Sequence, residues 1–464
     1  MRKNLLSNPK PRGGVTNVKK RVTRRDKREA LDTFNLCVEL WKIINHFFPD
    51  LIPMIKRTKD HRHQSYIEYK KHVILFTRIL AAVFRIESMR KTTESLNKVV
   101  CLKNISQILG LEEELEELPH WSTINNYLEQ LQASELEKII QKLVVRLTRM
   151  RSFENSRIRN KYWQVIIDGT HLYTFSEQHC EHCLKREFKD EEGNVVRREY
   201  YHVVLEAKLV IEGNMVISIA TEFVENESQE VKKQDCELNA FYRLAEKLKQ
   251  NFPKLPICLG MDSLYAAAPV FSLCRKYNWH YIIRFKDGSI SSLAKEFHAL
   301  KHMEPSQTWS KIEDNVKKTY RYVTGILYQS HELNIVEYEQ SNLKYPFVFV
   351  TDLPISRRNC EQLVLDGRRR WKIENEGFNA QKNQGMGLEH MFSEDYTAIK
   401  NHYFLIQIGH MIAQFLEAGI KRLMTLATIP AYQLFEDIKE SFRTVLLTQA
   451  DAKLVSLQTQ YRLR

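Results

Sequence analysis

Apolar residues recur every three or four positions through the first third of the chain. The pattern is clearest in three segments, residues 32–48, 69–89 and 135–150. Such spacing places apolar side chains on one face of a helix, and it is typical of amphipathic helices that pack against one another. No strand pattern interrupts these segments. We therefore predict a helical domain over residues 31–160.

From Tyr162 onward the pattern changes to short apolar runs rich in β-branched residues, separated by amphipathic segments. The predicted order is three strands, a helix, a strand, a helix and a strand, ending near Lys286. Consecutive strands pair antiparallel, whereas strands joined through a helix run parallel. We therefore predict an α/β fold with a mixed sheet and packed helices, its core formed by residues 161–286 together with 356–420.

Further strand patterns fill residues 287–355, where aromatic and β-branched residues again dominate. They predict a β-rich insertion between the last core strand and a helix near residues 361–382. The remaining residues, 421–464, are predicted to form a C-terminal helical tail.

Positive charge is concentrated at the N-terminus. Lys and Arg outnumber Asp and Glu by 70 to 57 in the whole chain, and residues 1–30 hold eleven basic residues against two acidic ones. This segment has no apolar periodicity, so we predict a disordered basic arm. It favours a polyanion, and nucleic acid more than a membrane, because it is not amphipathic. A tail that only increases solubility is the alternative.

Hydropathy and cysteine usage indicate the cellular compartment in which the protein is expected. No apolar stretch approaches the roughly 18 residues that span a bilayer, and the N-terminus lacks the apolar core of a signal peptide. The eight cysteines are scattered, which is typical of reduced thiols rather than of a disulfide framework. We expect a cytoplasmic protein without a membrane partner.

Two of the predicted strands end on an aspartate. Asp168 directly follows the apolar run 165–167, and Asp262 ends the fourth predicted strand. An ionised Asp at the end of a buried strand requires a partner. If the two strands are neighbours, both carboxylates lie at one edge of the sheet. The alternative for Asp168, which precedes a glycine, is an ordinary turn former.

A third carboxylate is offered by the helix predicted near residues 361–382. At about 100° per residue, Glu374 falls beside Trp371 and Phe378, while Glu376 points the opposite way. The large apolar side chains should face the sheet, so we predict that Glu374 is presented to the core. A solvated glutamate on a charged helix is the alternative.

Three carboxylates at one edge raise one another's pKa unless a cation compensates them. Mg²⁺ and Mn²⁺ prefer such oxygen ligands. Two ions about 4 Å apart would stabilise the attacking and leaving oxygens of an in-line displacement at phosphorus. The pattern therefore predicts a site for Mg²⁺ or Mn²⁺ formed by Asp168, Asp262 and Glu374.

With these acids in place, the chain from Leu118 to Leu416 resembles the DDE-type transposases of bacterial insertion sequences, which have a ribonuclease-H-like catalytic core. The most specific part is "RWKIENEGFNAQK", which is similar to the motif Tyr, two residues, Arg, three residues, Glu, six residues, Lys. Arg370 and Glu374 match it. Gly367 stands where the motif has Tyr, and Lys382 comes one residue late. The strand-rich insertion also resembles the insertion-sequence-four-like branch.

The resemblance implies a function. It implies cut-and-paste transposition, in which Mg²⁺-dependent cleavage at transposon ends is followed by attack of the freed 3′-hydroxyl on target DNA. The helical domain would bind terminal inverted repeats, and a homodimer would form the synaptic complex at the nucleoid. Arg370, Lys382, Arg284 and Lys286 would contact DNA phosphates. The alternatives are a ribonuclease-H-like nuclease without strand transfer and a catalytically inert DNA-binding regulator.

A second constellation contains Cys180 and Cys183 in a C-x-x-C motif, flanked by histidines, with His202 further along the chain. Such spacing suits tetrahedral Zn²⁺, but a structural site needs four ligands, and His202 or Cys236 would have to complete it. No second C-x-x-C pair is present. This favours reduced thiols and surface histidines in a β-hairpin, with zinc as the alternative.

Overall fold

A computed structural model describes residues 35–211, 215–227, 233–303, 305–423 and 429–457. The predicted basic arm, residues 1–30, lies outside the described residues. No helix in the described ranges is long and apolar enough to cross a membrane.

In the described part of the chain, seven α-helices precede the sheet, and their apolar faces form a shared core. Their bounds are α1 Leu36–Phe47, α2 Leu51–Arg57, α3 Lys71–Val83, α4 Met89–Leu96, α5 Val99–Leu109, α6 Trp121–Gln130 and α7 Ala133–Arg149. Helix α3 is the most deeply buried, since every residue from Val73 to Val83 is inaccessible to solvent or nearly so. A helix buried on all sides must be covered by other elements.

The remaining chain forms a ten-stranded sheet with helices packed on it. The strands are β1 Trp163–Phe175, β2 Leu184–Lys189, β3 Val195–Ile211, β4 Met215–Val224, β5 Ile257–Met261, β6 His280–Arg284, β7 Thr308–Glu313, β8 Val316–Tyr328, β9 His331–Gln340 and β10 Phe347–Thr351. They follow the order β2-β3-β1-β5-β6-β10-β9-β8-β7, and β4 pairs with β3. Helices α8 (Glu237–Asn251), α9 (Ala268–Tyr277) and α10 (Ser291–Leu300) connect them.

The central strands have ribonuclease-H-like topology. Strands β1, β5 and β6 are parallel neighbours, β3 runs antiparallel to β1, and β4 runs antiparallel to β3. This confirms the predicted mixed α/β fold. Strand β10 pairs antiparallel with β6, so the strands of the predicted insertion extend the same sheet. The sequence pattern missed β2 and β7, because most of their residues are polar and only Leu184 among them is buried.

One irregular helical segment crosses the sheet after β10. It comprises α11 (Cys360–Arg368), a 3₁₀ turn (Arg369–Trp371), a π-helical stretch (Ile373–Asn379) and α12 (Ala380–Asn383). Helix α11 approaches the sheet closely at Gly367, where an added Cβ would lie 2.7 Å from the Phe349 ring and 3.0 Å from Ile282. A tyrosine therefore has no room at this position, which explains why the chain departs from the transposase motif there.

The longest helix joins the helical region to the sheet. This helix, α13 (Tyr396–Leu423), packs on α3, and an added Cβ at Gly409 would lie 2.5 Å from the Cβ of Ala82. Two shorter helices, α14 (Ala431–Thr444) and α15 (Gln449–Leu457), pack back on α1.

A fully buried ion pair lies between the sheet and α13. Lys208 donates a 2.8 Å hydrogen bond to Gln407, and its Nζ lies 3.7 Å from Glu206. The Glu206 carboxylate also accepts 2.7 Å hydrogen bonds from Thr221 and Tyr403. These bonds offset much of the cost of burying two charges.

Candidate active site

The sheet register brings Asp168 and Asp262 to the same level. Parallel strands β1 and β5 pair Trp163 with Ile257 and Ile166 with Gly260, a constant offset of 94 residues. Asp168 and Asp262 differ by the same 94 positions, so continuing this register two residues past its last pair brings them level, with Asp262 directly after the end of β5. Neighbouring strands lie about 4.8 Å apart, and equivalent positions point to the same face. Asp262 also begins a short 3₁₀ turn, accepting a 2.8 Å hydrogen bond from the Leu264 amide.

Glu374 reaches the same edge through Arg370. The Arg370 guanidinium lies 2.8 Å from the Asp168 carboxylate and 2.9 Å from the Glu374 carboxylate. Arg370 is largely buried, and its contact with Asp168 is more shielded from solvent than its contact with Glu374, whose side chain is 38% exposed. The partner that the sequence required for Asp168 is therefore Arg370 in this structure.

The predicted helix phase was only partly correct. Phe378 is buried, but Trp371 is 46% exposed instead of facing the sheet. Each residue turns the chain by more in a 3₁₀-helix and by less in a π-helix than in an α-helix. A constant rotation of about 100° per residue therefore gives wrong side-chain directions across this segment. Glu376 lies away from the aspartates, in a different cavity of about 290 Å³ that Arg85 and His410 also line.

The π-helical stretch also explains the late position of Lys382. A π turn holds one more residue than an α turn, so the eighth residue after Glu374 takes the rotational position that the seventh would have in an unbroken helix. The seventh, Gln381, is buried and hydrogen-bonded to Gln407. Lys382 forms a 2.7 Å ion pair with Glu389.

Sequence reasoning missed a fourth carboxylate, Glu237, the first residue of α8. Its Oε2 would lie 2.9 Å from a Cβ built on Gly169, and its Oε1 accepts a 2.7 Å hydrogen bond from Tyr265. Strand β4 runs parallel to β1, so α8 starts at the edge where the two aspartates lie. An acidic residue at the start of this helix was the available signal.

The electrostatics of this edge reflect an excess of negative charge. Burial raises the pKa of Asp168 to about 7; Arg370 opposes the shift, whereas Glu374 and Glu237 add to it. Burial also raises the pKa of Glu237, with a hydrogen bond from Tyr265 lowering it and the charge of Asp262 raising it. Glu237 therefore acts electrostatically on both aspartates.

The donor set fits a hard divalent cation. Four carboxylates and one guanidinium leave a net negative charge in a partly buried site, and carboxylate oxygens are the ligands that Mg²⁺ and Mn²⁺ prefer. The acids are spaced more widely than in a closed metal cage. Among the described residues, the one group of three or more His, Cys, Asp or Glu ligand atoms lying within 4.8 Å of one another is elsewhere. Arg370 contacts both Asp168 and Glu374, and the Glu374 side chain also hydrogen-bonds to Asp168 directly.

The other predicted phosphate contacts differ in accessibility. Arg284 donates hydrogen bonds to the carbonyls of Pro346 and Val348, at 2.9 and 3.2 Å, and lies over the Phe347 ring. Lys286, just past the end of β6, is exposed. Two of the five N–H donors of Arg284 are therefore used within the protein, whereas Lys286 is exposed.

The cysteine motif lies beyond the end of β1, in the loop that leads to β2. The structure brings Cys180 and Cys183 together with His202 on β3 and with His179, which the sequence had not singled out as the fourth member. Cys236, the other candidate, is exposed and does not belong to this group. No disulfide joins any of the eight cysteines in the structure.

One family model matches this chain. Residues 159–412, more than half of the chain, match the family described as transposase DDE domain. A search of curated proteins found no match. Among solved structures, a cryo-EM structure of the piggyBac transposase synaptic complex with hairpin DNA is similar at 10% identity and a TM-score of 0.38, covering 90% of this chain and 84% of that chain. On the family match, this chain belongs to the transposases with a DDE domain.

Proposed function

We propose that this protein is a cut-and-paste transposase of the bacterial insertion-sequence-four-like branch, which cleaves DNA at terminal inverted repeats and joins the freed ends to target DNA. The observation that carries the proposal is the common level of Asp168 and Asp262 on adjacent parallel strands, with Arg370 linking Asp168 to Glu374. The β-rich insertion between β6 and α11 supports the assignment to this branch.

In this proposal Asp168, Asp262 and Glu374 hold Mg²⁺ or Mn²⁺, as two ions, with Glu237 as an additional carboxylate. A bound cation of this type supplies Lewis-acid stabilisation of the charge that develops on the phosphate oxygens. The carboxylates fix the position of the scissile phosphodiester relative to its nucleophile, which is water in the first step and a DNA 3′-hydroxyl in the second. No covalent bond between protein and DNA is required.

Arg370 has a positioning role in this scheme. It is held by Asp168 and Glu374 together, so it fixes the helix that carries Glu374 against the strand that carries Asp168. Its remaining donors can bind a phosphate oxygen, for which a planar guanidinium is well suited. Exposed Lys286 and the salt-bridged Lys382 supply further phosphate contacts, while Arg284 supports strand β10 from within.

The DNA partners follow from the reaction. The helical region, residues 31–160, together with the basic arm, binds the inverted repeats, and two copies of the chain hold two transposon ends in a synaptic complex at the nucleoid. The strong excess of Lys and Arg in the arm supports binding to the phosphate backbone.

A single assay tests this function against its alternatives. The full chain is incubated with labelled inverted-repeat DNA, Mg²⁺ and a supercoiled target plasmid, and the products are separated on a gel. Products joined to the plasmid support transposition. Cleavage without joining identifies a nuclease, and a mobility shift without cleavage identifies a DNA-binding regulator, so either result overturns the proposal.

A further inference from the structure

The loop between β1 and β2 forms a compact pocket of two thiols and two imidazoles. The two sulfur atoms of Cys180 and Cys183 lie 3.4 Å apart, and His202 Nε2 lies 3.5 and 3.7 Å from them. His179 completes the group, with its Nδ1 3.1 Å from the Cys183 sulfur and its Nε2 3.3 Å from His202 Nε2. All four ligand atoms lie within 4.8 Å of one another.

These separations match the edges of a zinc tetrahedron. With Zn–S bonds of about 2.3 Å and Zn–N bonds of about 2.0 Å, tetrahedral geometry gives edges of about 3.8 Å for S–S, 3.5 Å for S–N and 3.3 Å for N–N. The distances among the two sulfurs and His202 Nε2, and that from His179 Nδ1 to the Cys183 sulfur, fall within about half an ångström of these values. Two Cys and two His in this arrangement favour zinc over harder or square-planar metals.

The surrounding residues hold the ligands in place. The His202 ring stacks on Tyr396 with centroids 4.8 Å apart, and the His179 ring lies 4.0 Å from that of Phe175. Asn226 closes the loop by donating a 2.8 Å hydrogen bond to the Cys183 carbonyl. The two rings are therefore oriented by packing.

We propose that His179, Cys180, Cys183 and His202 bind one structural Zn²⁺. The ion would link the β1–β2 loop to β3. It would thereby hold the end of the β2–β3 hairpin at which β2 begins. The alternative is a pair of cysteines that forms a reversible disulfide. Such a pair needs no further ligands, whereas here two imidazoles lie next to the two sulfurs. The convergence is the reason for choosing a metal over a disulfide.

The test is the metal content of the full-length protein, which does not depend on transposase activity. Protein expressed with zinc supplementation and purified without chelator should hold about one Zn²⁺ per chain, with X-ray absorption showing two sulfur and two nitrogen neighbours. Cys183→Ser should lose most of the zinc. Cys236→Ser is the matched control, because Cys236 is exposed and outside the group, and it should retain the zinc.

Two measurements keep the proposal testable if Cys183→Ser does not fold. Stepwise blocking of thiols in the wild-type protein with an organomercurial should release zinc, and Cys236→Ser should release it to the same extent. Replacement by Co²⁺ should give the absorption of a tetrahedral thiolate site. Wild-type protein with less than about a tenth of a zinc per chain, zinc undiminished in Cys183→Ser, or a Cys180–Cys183 disulfide found by mass spectrometry would each overturn the proposal.

Discussion

Arg370 donates a 2.8 Å hydrogen bond to Asp168, although the two residues are 202 positions apart in the chain. The same guanidinium lies 2.9 Å from Glu374. The buried Arg370 guanidinium thus connects the central strand of the sheet with the helical segment that crosses it. The three side chains form a unit, so changes in any one of them should be felt by the others.

Replacing Asp168 by Asn should remove the activity and spare DNA binding. The amide keeps the size of the side chain and can still accept a hydrogen bond from Arg370, but it carries no charge for a divalent cation. We expect cleavage of inverted-repeat DNA to fall by on the order of 10³-fold or more, with an unchanged mobility shift. Normal cutting by this variant would remove Asp168 from the mechanism.

Two glutamates on the π-helical stretch provide a matched pair. Glu374→Gln removes the carboxylate that contacts Arg370, whereas Glu376→Gln changes a side chain in a different cavity. Cleavage by Glu374→Gln should fall by at least about 100-fold, and that of Glu376→Gln should stay within a few-fold of wild type. The opposite ranking in a cleavage assay would show that Glu376 is the third acid.

Glu237 should tune the binding of the cation. Glu237→Gln keeps an acceptor for Tyr265 but removes the charge that acts on Asp168 and Asp262. We expect the Mg²⁺ concentration for half-maximal cleavage to rise by about 10- to 100-fold. Tyr265→Phe, which removes only the hydroxyl, should produce a smaller shift. An unchanged Mg²⁺ requirement in Glu237→Gln would make this residue purely structural.

Some residues of the site could be predicted from the sequence and others could not. Asp168 and Asp262 were predictable because each directly follows a short apolar run, although β1 does not end at Asp168 as predicted but continues to Phe175. Glu237 was not, because its place depends on β4 running parallel to β1, a relationship of the whole sheet. The only sign of the π-helical stretch in the sequence is the late position of Lys382. Because we assumed a uniform α-helical rotation, the predicted orientation of Trp371 was wrong.

The raised pKa of Asp168 makes stability depend on pH. Its pKa in the folded protein is about 7, against an ordinary value of 3.8, so folding favours the protonated form. This contribution is complete below about pH 4 and disappears as the pH rises through about 7. In EDTA, the melting temperature of Asp168→Asn should therefore decline less than that of the wild type between about pH 5 and pH 8. If the melting temperatures of the two proteins decline equally with pH in thermal denaturation, the pKa of Asp168 is not raised by folding.

Gly367 should be essential for seating the helical segment on the sheet. Alanine normally stabilises a helix interior relative to glycine by about 1 kcal/mol. At this position its Cβ would lie 2.7 Å from the Phe349 ring, which is itself buried. Overpacking of this kind costs about 1–3 kcal/mol, so we expect the steric term to exceed the helical gain.

The measurement is the free energy of unfolding in urea. Gly288→Ala is the control, because nothing lies within 4 Å of a Cβ at that position. Gly367→Ala should destabilise the protein and reduce cleavage as well, because α11 leads directly into Arg370 and Glu374, whereas Gly288→Ala should change neither. Equal stability of the two variants would mean that the helical segment can shift on the sheet. The Gly in place of the motif's Tyr would then need an explanation other than close packing.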